Sequence, residues 1–266
     1  MKKSRRKAFG QHFLIDRKIV RRIVRVINPE AGDLIIEIGA GKGALTFALA
    51  KSGAEIYALE KDKAFIPLLE KKEIPNLKVR EEDVLRVKFE DFLQGKQGKI
   101  VGNLPYSISS SLLFKVLAEK ESISSCVFLL QKEVAQRLCA LPGSKKFAPI
   151  SILFQNDFDA RIHFIVKASS FSPPPKVESA LISLKKLPEP YSSIPHQEGF
   201  VSFLKGAFRS RRKKLVNNLK ALDIPAFRIK KAYISCGIED NVRAEQVSLS
   251  QFVALYGFLF DDRASD

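Results

Sequence analysis

The sequence predicts an α/β protein: a mostly parallel sheet carrying one late antiparallel strand, followed by a small all-helical C-terminal domain. Three observations support this. Short apolar runs without polar alternation, Leu34, Ile35, Ile36 and Ile38 above all, read as strands buried on both faces. That run is followed at once by Gly39, Gly41 and Gly43, and then by a helical pattern from Ala44. Beyond Pro188, Pro190, Ser192, Ser193 and Pro195, which mark a linker, the pattern is helical. The predicted domains are residues 1–190 and 191–266.

Composition narrows the function. The chain has 266 residues, 45% of them hydrophobic, enough for a substantial core. Its 45 Lys and Arg against 29 Asp and Glu give a formal net charge of +16. A surplus of that size points to a polyanionic partner, RNA or DNA before a membrane surface. Cys126, Cys139 and Cys236 are scattered and odd in number, which suits a reducing compartment without disulfides. There is no C-x-x-C pair, and His12, His163 and His196 lie far apart, so no metal site is expected. No apolar run is long enough to cross a bilayer, and the basic start KKSRRK precedes no signal-peptide core.

Taken in order, Lys2 to Lys7 holds five positive charges in six residues, a solvated tail or an RNA-contacting arm. Gln11 to Leu14 has neither helical nor strand period. Asp16 is a candidate N-cap for an amphipathic helix built on Val20, Ile23, Val24 and Ile27 and ending before Pro29. In the glycine turn, Gly39 turns the chain tightly, Gly41 lets a ligand approach the backbone, and the following helix presents free N–H groups. Gly39, Gly41 and Ala44 fit a nucleotide-binding fingerprint, with Glu60 at the end of a second strand, Ile56 to Leu59, placed to accept hydrogen bonds from ribose hydroxyls. Leu77 to Val79 suggests a third strand. Asp83 beyond it could take a hydrogen bond from an adenine amine or be an ordinary loop acid.

A fourth strand, Ile100 to Gly102, runs into Asn103-Leu104-Pro105-Tyr106. In an open α/β sheet that tetrapeptide can face the glycine turn. Pro105 stiffens it and keeps Leu104 out of the helical region. The Asn103 amide oxygen and the Leu104 carbonyl then form two fixed acceptors beside the flat face of Tyr106, a set able to hold a base by its exocyclic amine. A helix over Leu112 to Ala118, a strand over Val127 to Leu130 and a helix over 133–140 follow, while 149–166 shows no clear period. Phe171 to Lys176, with three consecutive prolines, is expected to be neither helix nor ladder and to fix Phe171 in space. Val177 to Leu187 reads as the late antiparallel strand. In the helical region Arg209, Arg211, Arg212, Lys213 and Lys214 place five cations in six residues, read as a helix contacting RNA phosphates. The apolar Val247, Leu249, Phe252, Leu255 and Phe258 suggest a small helical core.

The order of these motifs resembles the bacterial small-subunit ribosomal RNA adenine dimethyltransferases, which use S-adenosylmethionine. The matching pieces are GQHFL at 10–14, EIGAGKGALT at 37–46, Glu60, Asp83, NLPYSIS at 103–109 and FSPPPKVESALISL at 171–184. FRSRRKKLVNNL at 208–219 and RAEQVSLSQF at 243–252 extend the match towards the C-terminus. The resemblance implies a Rossmann-like methyltransferase sheet and a C-terminal RNA-binding domain. It also implies S-adenosyl-L-methionine as cofactor, a small-subunit ribosomal precursor as partner, and a cytoplasmic monomer that uses neither metal nor membrane. Residue by residue, it implies that His12 and Leu14 close over the cofactor and that Gly39 and Gly41 pass beneath its methionine part, in a loop ordered by Glu37. Glu60 would hold the ribose and Asp83 the adenine amine. Asn103 would stand where cofactor and target base meet, with Tyr106 and, opposite, Phe171 stacking on the base. His12 stands where many relatives have Asn. Three other readings stay open: a nicotinamide-dependent reductase, a large-subunit RNA or DNA adenine methyltransferase, and a non-catalytic ribosome-assembly factor.

Overall fold

The computed structural model describes residues 11–194 and 196–260. The basic tail Lys2 to Lys7, Gly10 and Pro195 of the linker lie outside the described residues. Of the described residues, those up to Ala135 and Asp159–Lys186 form one compact unit, and Gln136–Phe158 joins those from Leu187 onward in a second.

In the first unit a two-residue strand, β1 (Phe13–Leu14), precedes the helix Arg17–Ile27. Asp16 caps that helix, accepting from the N–H groups of Lys18 and Ile19, and the helix buries Val20, Ile23 and Ile27. The main sheet comprises β2 (Leu34–Ile38), β3 (Glu55–Glu60), β4 (Leu77–Glu81), β5 (Gly98–Asn103), β6 (Ile123–Gln131), β7 (Phe158–Val166) and, after a second two-residue strand β8 (Phe171–Ser172), β9 (Ser179–Lys186). Its order is β4-β3-β2-β5-β6-β9-β7. The pairs β2–β3, β3–β4, β2–β5 and β5–β6 are parallel, whereas β6–β9 is antiparallel. Every residue of β2 is buried, the signature of a central strand covered on both faces.

A short helix, Thr46–Leu49, and a single 3-10 turn, Ala50–Ser52, follow the glycine turn. The regular helix starts at Thr46, later than the Ala44 the sequence suggests. Gly39, Gly41 and Gly43 all have positive φ, at 70°, 53° and 79°, and this alternation prolongs the turn before a helix can begin. The segment from Phe171 also differs from expectation. Phe171 and Ser172 pair with Leu14 and Phe13, because the missing N–H groups begin only at Pro173. Residues 149–166 divide into a helix, Pro149–Asp157, and β7. β7 ends the sheet and leaves both Ile162 and Ile165 exposed, so no clean alternation marks it.

The second unit is built from the helices Pro149–Asp157, Gln197–Ala207, Leu215–Lys220, Ala226–Ser235 and Leu249–Phe260. Its core is aromatic: the Phe200 ring meets Tyr256 edge-on at 5.3 Å between centroids, and Phe203 meets Phe252 and Tyr256. Leu249, Phe252 and Leu255 are buried in it as the sequence suggests.

At Gly102 of β5 an added Cβ would lie 2.6 Å from the Ile38 carbonyl oxygen of β2. Gly102→Ala is therefore expected to destabilise the protein by about 1–3 kcal/mol, the usual cost of overpacking, as a lower urea midpoint with unchanged slope. An unchanged midpoint would show that the strands part without strain.

Candidate active site

From β2 the chain crosses to β3 on one side of the sheet and later returns to β5 on the other. The carboxyl ends of β2 and β5 therefore flank the point where strand order reverses, the usual ligand crevice of open α/β sheets. Gly39 leaves β2 at this point and Asn103 ends β5. Three adjoining cavities all touch Gly39: one reaches His12, Glu60, Asn103 and Tyr106, the second Glu60, Asp83 and Ile108, the third Leu14, Glu37 and Asn103.

The acidic floor is built from strand ends. Glu60 is buried, and its carboxylate accepts from Gly41 N–H at 2.7 Å and from Asp62 N–H at 2.8 Å. It thus clamps the glycine turn from the next strand, a second task beside the ribose contact suggested by the sequence. Gly41 needs its bare Cα for a neighbour as well: an added Cβ would stand 3.1 Å from the Phe13 ring. Glu37 is buried, and its Oε2 has no hydrogen-bond partner among the described residues. Burial pushes its carboxyl up to about 7, the Glu60 carboxylate adds to the rise, and the proximity of Thr46 pulls the other way. Gln11 Oε1 is likewise buried and without a partner. Asp83 accepts from Lys61 Nζ at 2.9 Å and from Leu85 N–H at 3.1 Å. The Lys61 ammonium is the main cause holding its carboxyl below the usual range.

Above the floor, Asn103 Nδ2 donates to the His12 carbonyl at 2.8 Å, which leaves its amide oxygen as the end able to accept from a ligand. Leu104 is buried, and its N–H reaches the Leu129 carbonyl at 3.2 Å, so β6 braces the turn that Pro105 stiffens. The Tyr106 hydroxyl meets Ser179 Oγ at 2.9 Å, and its ring lies 5.6 Å from that of His12 at 37°. The His12 ring is held through Nδ1 by the Pro173 carbonyl oxygen at 2.8 Å.

The cleft therefore brings together His12, Gly39, Gly41, Glu60, Asn103, Leu104, Pro105 and Tyr106, with Leu14, Glu37 and Asp83 on the adjoining cavities. Phe171 is the exception. It is only 3% exposed and packs in the core with Leu14, because its short ladder with β1 draws the ring inward. Phe171, expected to stack opposite Tyr106, lines none of the three cavities. Gln11, Lys61 and Ser179 belong to the site although sequence reasoning gave them no role. Gln11 and Ser179 lay inside quoted motifs, but their partners are set by tertiary contacts that no local spacing reveals.

The basic run of the second unit is also rearranged. Arg209, Arg211, Arg212, Lys213 and Lys214 do not lie on a helix but in the connection between the helices Gln197–Ala207 and Leu215–Lys220. Asn218 Nδ2 donates to the carbonyls of Ala207 and Ser210, ending the first helix and fixing the turn. Arg211 donates to the carbonyls of Lys145 and Phe147, and Lys214 to Asn241. All five are exposed, and among the described residues Arg209, Arg212 and Lys213 have no side-chain partner. Among the described residues no cluster of His, Cys, Asp or Glu could hold a metal, and no helix is long and apolar enough to cross a membrane.

A parallel sheet with an antiparallel penultimate strand, a glycine turn at its switch point and an acid ending the next strand define a Rossmann-like methyltransferase. The family described as ribosomal RNA adenine dimethylase matches residues 2–261, and the chain belongs to that family. Among its relatives is a "Ribosomal RNA small subunit methyltransferase A" of Geobacter metallireducens, 39% identical over 257 residues, 94% of each chain. Another of the same name, from Nitrosomonas europaea, is 36% identical over 263 residues, 99% of this chain and 100% of the relative. A dimethyladenosine transferase from Plasmodium falciparum shares the fold, with a TM-score of 0.77 and 24% identity over 92% of this chain and 96% of that one. Family membership removes the nicotinamide-dependent reductase from consideration.

The raised Glu37 carboxyl has a consequence for stability. Between its ordinary 4.5 and about 7 the folded state holds more protons than the unfolded one, so stability falls as pH rises through that window and levels off above it. The ligand-free protein is expected to lose on the order of 3 kcal/mol there, and Glu37→Gln to flatten that decline. Urea unfolding at several pH values measures it; identical pH slopes in the two proteins would contradict the assignment.

Proposed function

We propose that this protein transfers methyl groups from S-adenosyl-L-methionine to the exocyclic amine of adenines in small-subunit ribosomal RNA, giving dimethyladenosine during ribosome biogenesis. In this reading it works as a cytoplasmic monomer, with residues 1–190 catalytic and residues 191–266 binding RNA. The observation that carries the reading is the direction of the Asn103 amide. Its nitrogen is engaged by the His12 carbonyl, so its oxygen is the acceptor presented where the cavities meet. The relatives named as ribosomal RNA small subunit methyltransferases support the small subunit as the source of the substrate.

The residues present fit the cofactor. A buried carboxylate at the end of β3, a glycine turn that bares its backbone, and the unpartnered Oε2 of Glu37 make a polar cradle of the kind a nucleoside with an amino-acid tail requires. Glu60 would hold the ribose, Asp83 the adenine amine, and Gly39 and Gly41 the methionine part, with His12 and Leu14 closing over it. When bound, S-adenosyl-L-methionine supplies a methyl group on a positively charged sulfur.

The chain's own work is alignment. An aromatic amine is a weak nucleophile because its lone pair is delocalised into the ring. In the first transfer Asn103 Oδ1 and the Leu104 carbonyl accept hydrogen bonds from its two N–H groups, which favours a pyramidal nitrogen with an available lone pair; each transfer releases one proton from that nitrogen to water, and in the second a single N–H remains to be held. Tyr106, its hydroxyl tied to Ser179, offers a fixed face on which the everted base stacks. Positioning and fixed dipoles supply most of the rate, and no strong base is needed. Exposed Arg209, Arg212 and Lys213 suit phosphate contact, with Arg211 and Lys214 also shaping the loop that presents them.

Asn103→Ala separates binding from turnover. Methyl transfer to unmodified small-subunit RNA is expected to fall about 100-fold or more, as when one preorganised polar group is lost, while calorimetry shows cofactor affinity changed only a few-fold. Near-normal turnover would remove Asn103 from the mechanism.

A further inference from the structure

The helix Arg17–Ile27 carries a second cationic surface, on the catalytic unit itself. Its sequence, RKIVRRIVRVI, holds five cations and no acid. Val20, Ile23 and Ile27 face the core, while Arg17, Lys18, Arg21, Arg22 and Arg25 are all exposed. Arg17, Arg21 and Arg25 recur every fourth residue, about 6 Å apart along the axis, with Lys18 and Arg22 beside them.

Three features set this stripe apart from an ordinary solvated face. Among the described residues none of the five cations forms an ion pair, and they share one helix, whereas the likewise unpaired Lys51, Lys71, Lys88 and Lys96 of the same unit lie scattered on separate segments. Like charges at i and i+4 repel along the whole helix. Arg17 and Lys18 also occupy the first turn, where the helix dipole disfavours positive charge and only the Asp16 cap opposes it. A helix that gathers like charges against local preference, with no acid among them, marks a surface used for something other than folding.

The stripe's position is informative too. The helix begins three residues after Leu14, which lines a cavity of the site, as Ile15 and Ile23 also do. Arg22 lies 3.7 Å over the Phe164 ring of β7, so it is held in place by a cation–π contact rather than by an acid.

We infer that this stripe binds the phosphate backbone of the substrate RNA next to the catalytic cleft, as a contact separate from the basic loop at 209–214. The inference rests on the RNA reading given above. Its ligand chemistry is a row of phosphodiesters: regularly spaced guanidinium groups with no acid among them complement a single strand's successive phosphates. It holds the strand that feeds the target base and does no base reading, since no asparagine, glutamine or aromatic residue interrupts it.

The test replaces Arg17, Lys18, Arg21 and Arg25 with Gln, keeping Arg22 for its packing. A control removes the same charge elsewhere on the unit, at exposed Lys51, Lys71, Lys88 and Lys96. Binding of a small-subunit ribosomal RNA transcript is titrated from low to high salt, with thermal unfolding and cofactor affinity measured alongside. The stripe variant is expected to bind RNA about tenfold or more weaker, with a log–log salt slope shallower by about 3, roughly 0.7 per lost phosphate contact. Its melting temperature is expected to be equal or higher, because repulsion has been removed, and its cofactor affinity unchanged. A slope equal to wild type overturns the inference alone. So does a control variant that loses as much, since net charge would then suffice, and so does loss of binding to anionic vesicles with RNA binding intact. A wild-type protein without salt-dependent RNA binding overturns the function reading and this inference with it.

Discussion

The hydrogen bond from Asn103 Nδ2 to the His12 carbonyl joins the end of β5 to the segment that precedes the first helix. It engages the nitrogen end of the amide and leaves the oxygen as the acceptor available to the cavities. Much of the surrounding architecture keeps this bond in place. His12 is held by the Pro173 carbonyl, and its neighbours Phe13 and Leu14 by the ladder with Ser172 and Phe171. Asn103 is held by strand pairing with Leu129 and by the close approach of β5 to β2 at Gly102. The proline-rich segment after β8 thus acts at a distance in sequence: it anchors His12 through Pro173 and leads into Ser179, which anchors Tyr106.

The floor of the site obeys a different constraint. Glu37 and Glu60 are two buried acids on adjacent parallel strands, and the Glu60 carboxylate adds to the rise that burial imposes on the Glu37 carboxyl. Glu60 is satisfied by backbone N–H groups, two of them within hydrogen-bond distance, whereas Glu37 keeps an unpartnered oxygen. A protein interior rarely leaves such an atom alone. Glu37 lines the same cavity as Gly39 and Gly41 of the glycine turn.

Much of this was legible in the sequence because it is local. The strand–glycine–strand-end acid pattern located β2, Gly39, Gly41 and Glu60, and Pro105 marked the turn after β5. Asp16 read correctly as a cap, since capping depends on the next three residues. What was illegible is tertiary. Nothing in the spacing says that Phe171 turns into the core, because that depends on a two-residue ladder with a segment over 150 residues away in the chain. The run of cations at 209–214 has helical composition, but Asn218 ends the preceding helix and Arg211 finds backbone carbonyls. The stripe on Arg17–Ile27 is masked by its own amphipathicity: the apolar period already accounts for the helix, and the absence of acids matters only because its cations form no ion pair among the described residues.

The account's central claim is that the acceptor pair at Asn103 and Leu104 takes an adenine amine from small-subunit ribosomal RNA. Incubating the protein and S-adenosyl-L-methionine with unmodified small and large ribosomal subunits, then reading the product nucleosides by mass, tests it most directly. Dimethyladenosine formed on the small subunit and not on the large one is the predicted result. Methylation confined to the large subunit, or no methylated adenosine on either, would contradict it.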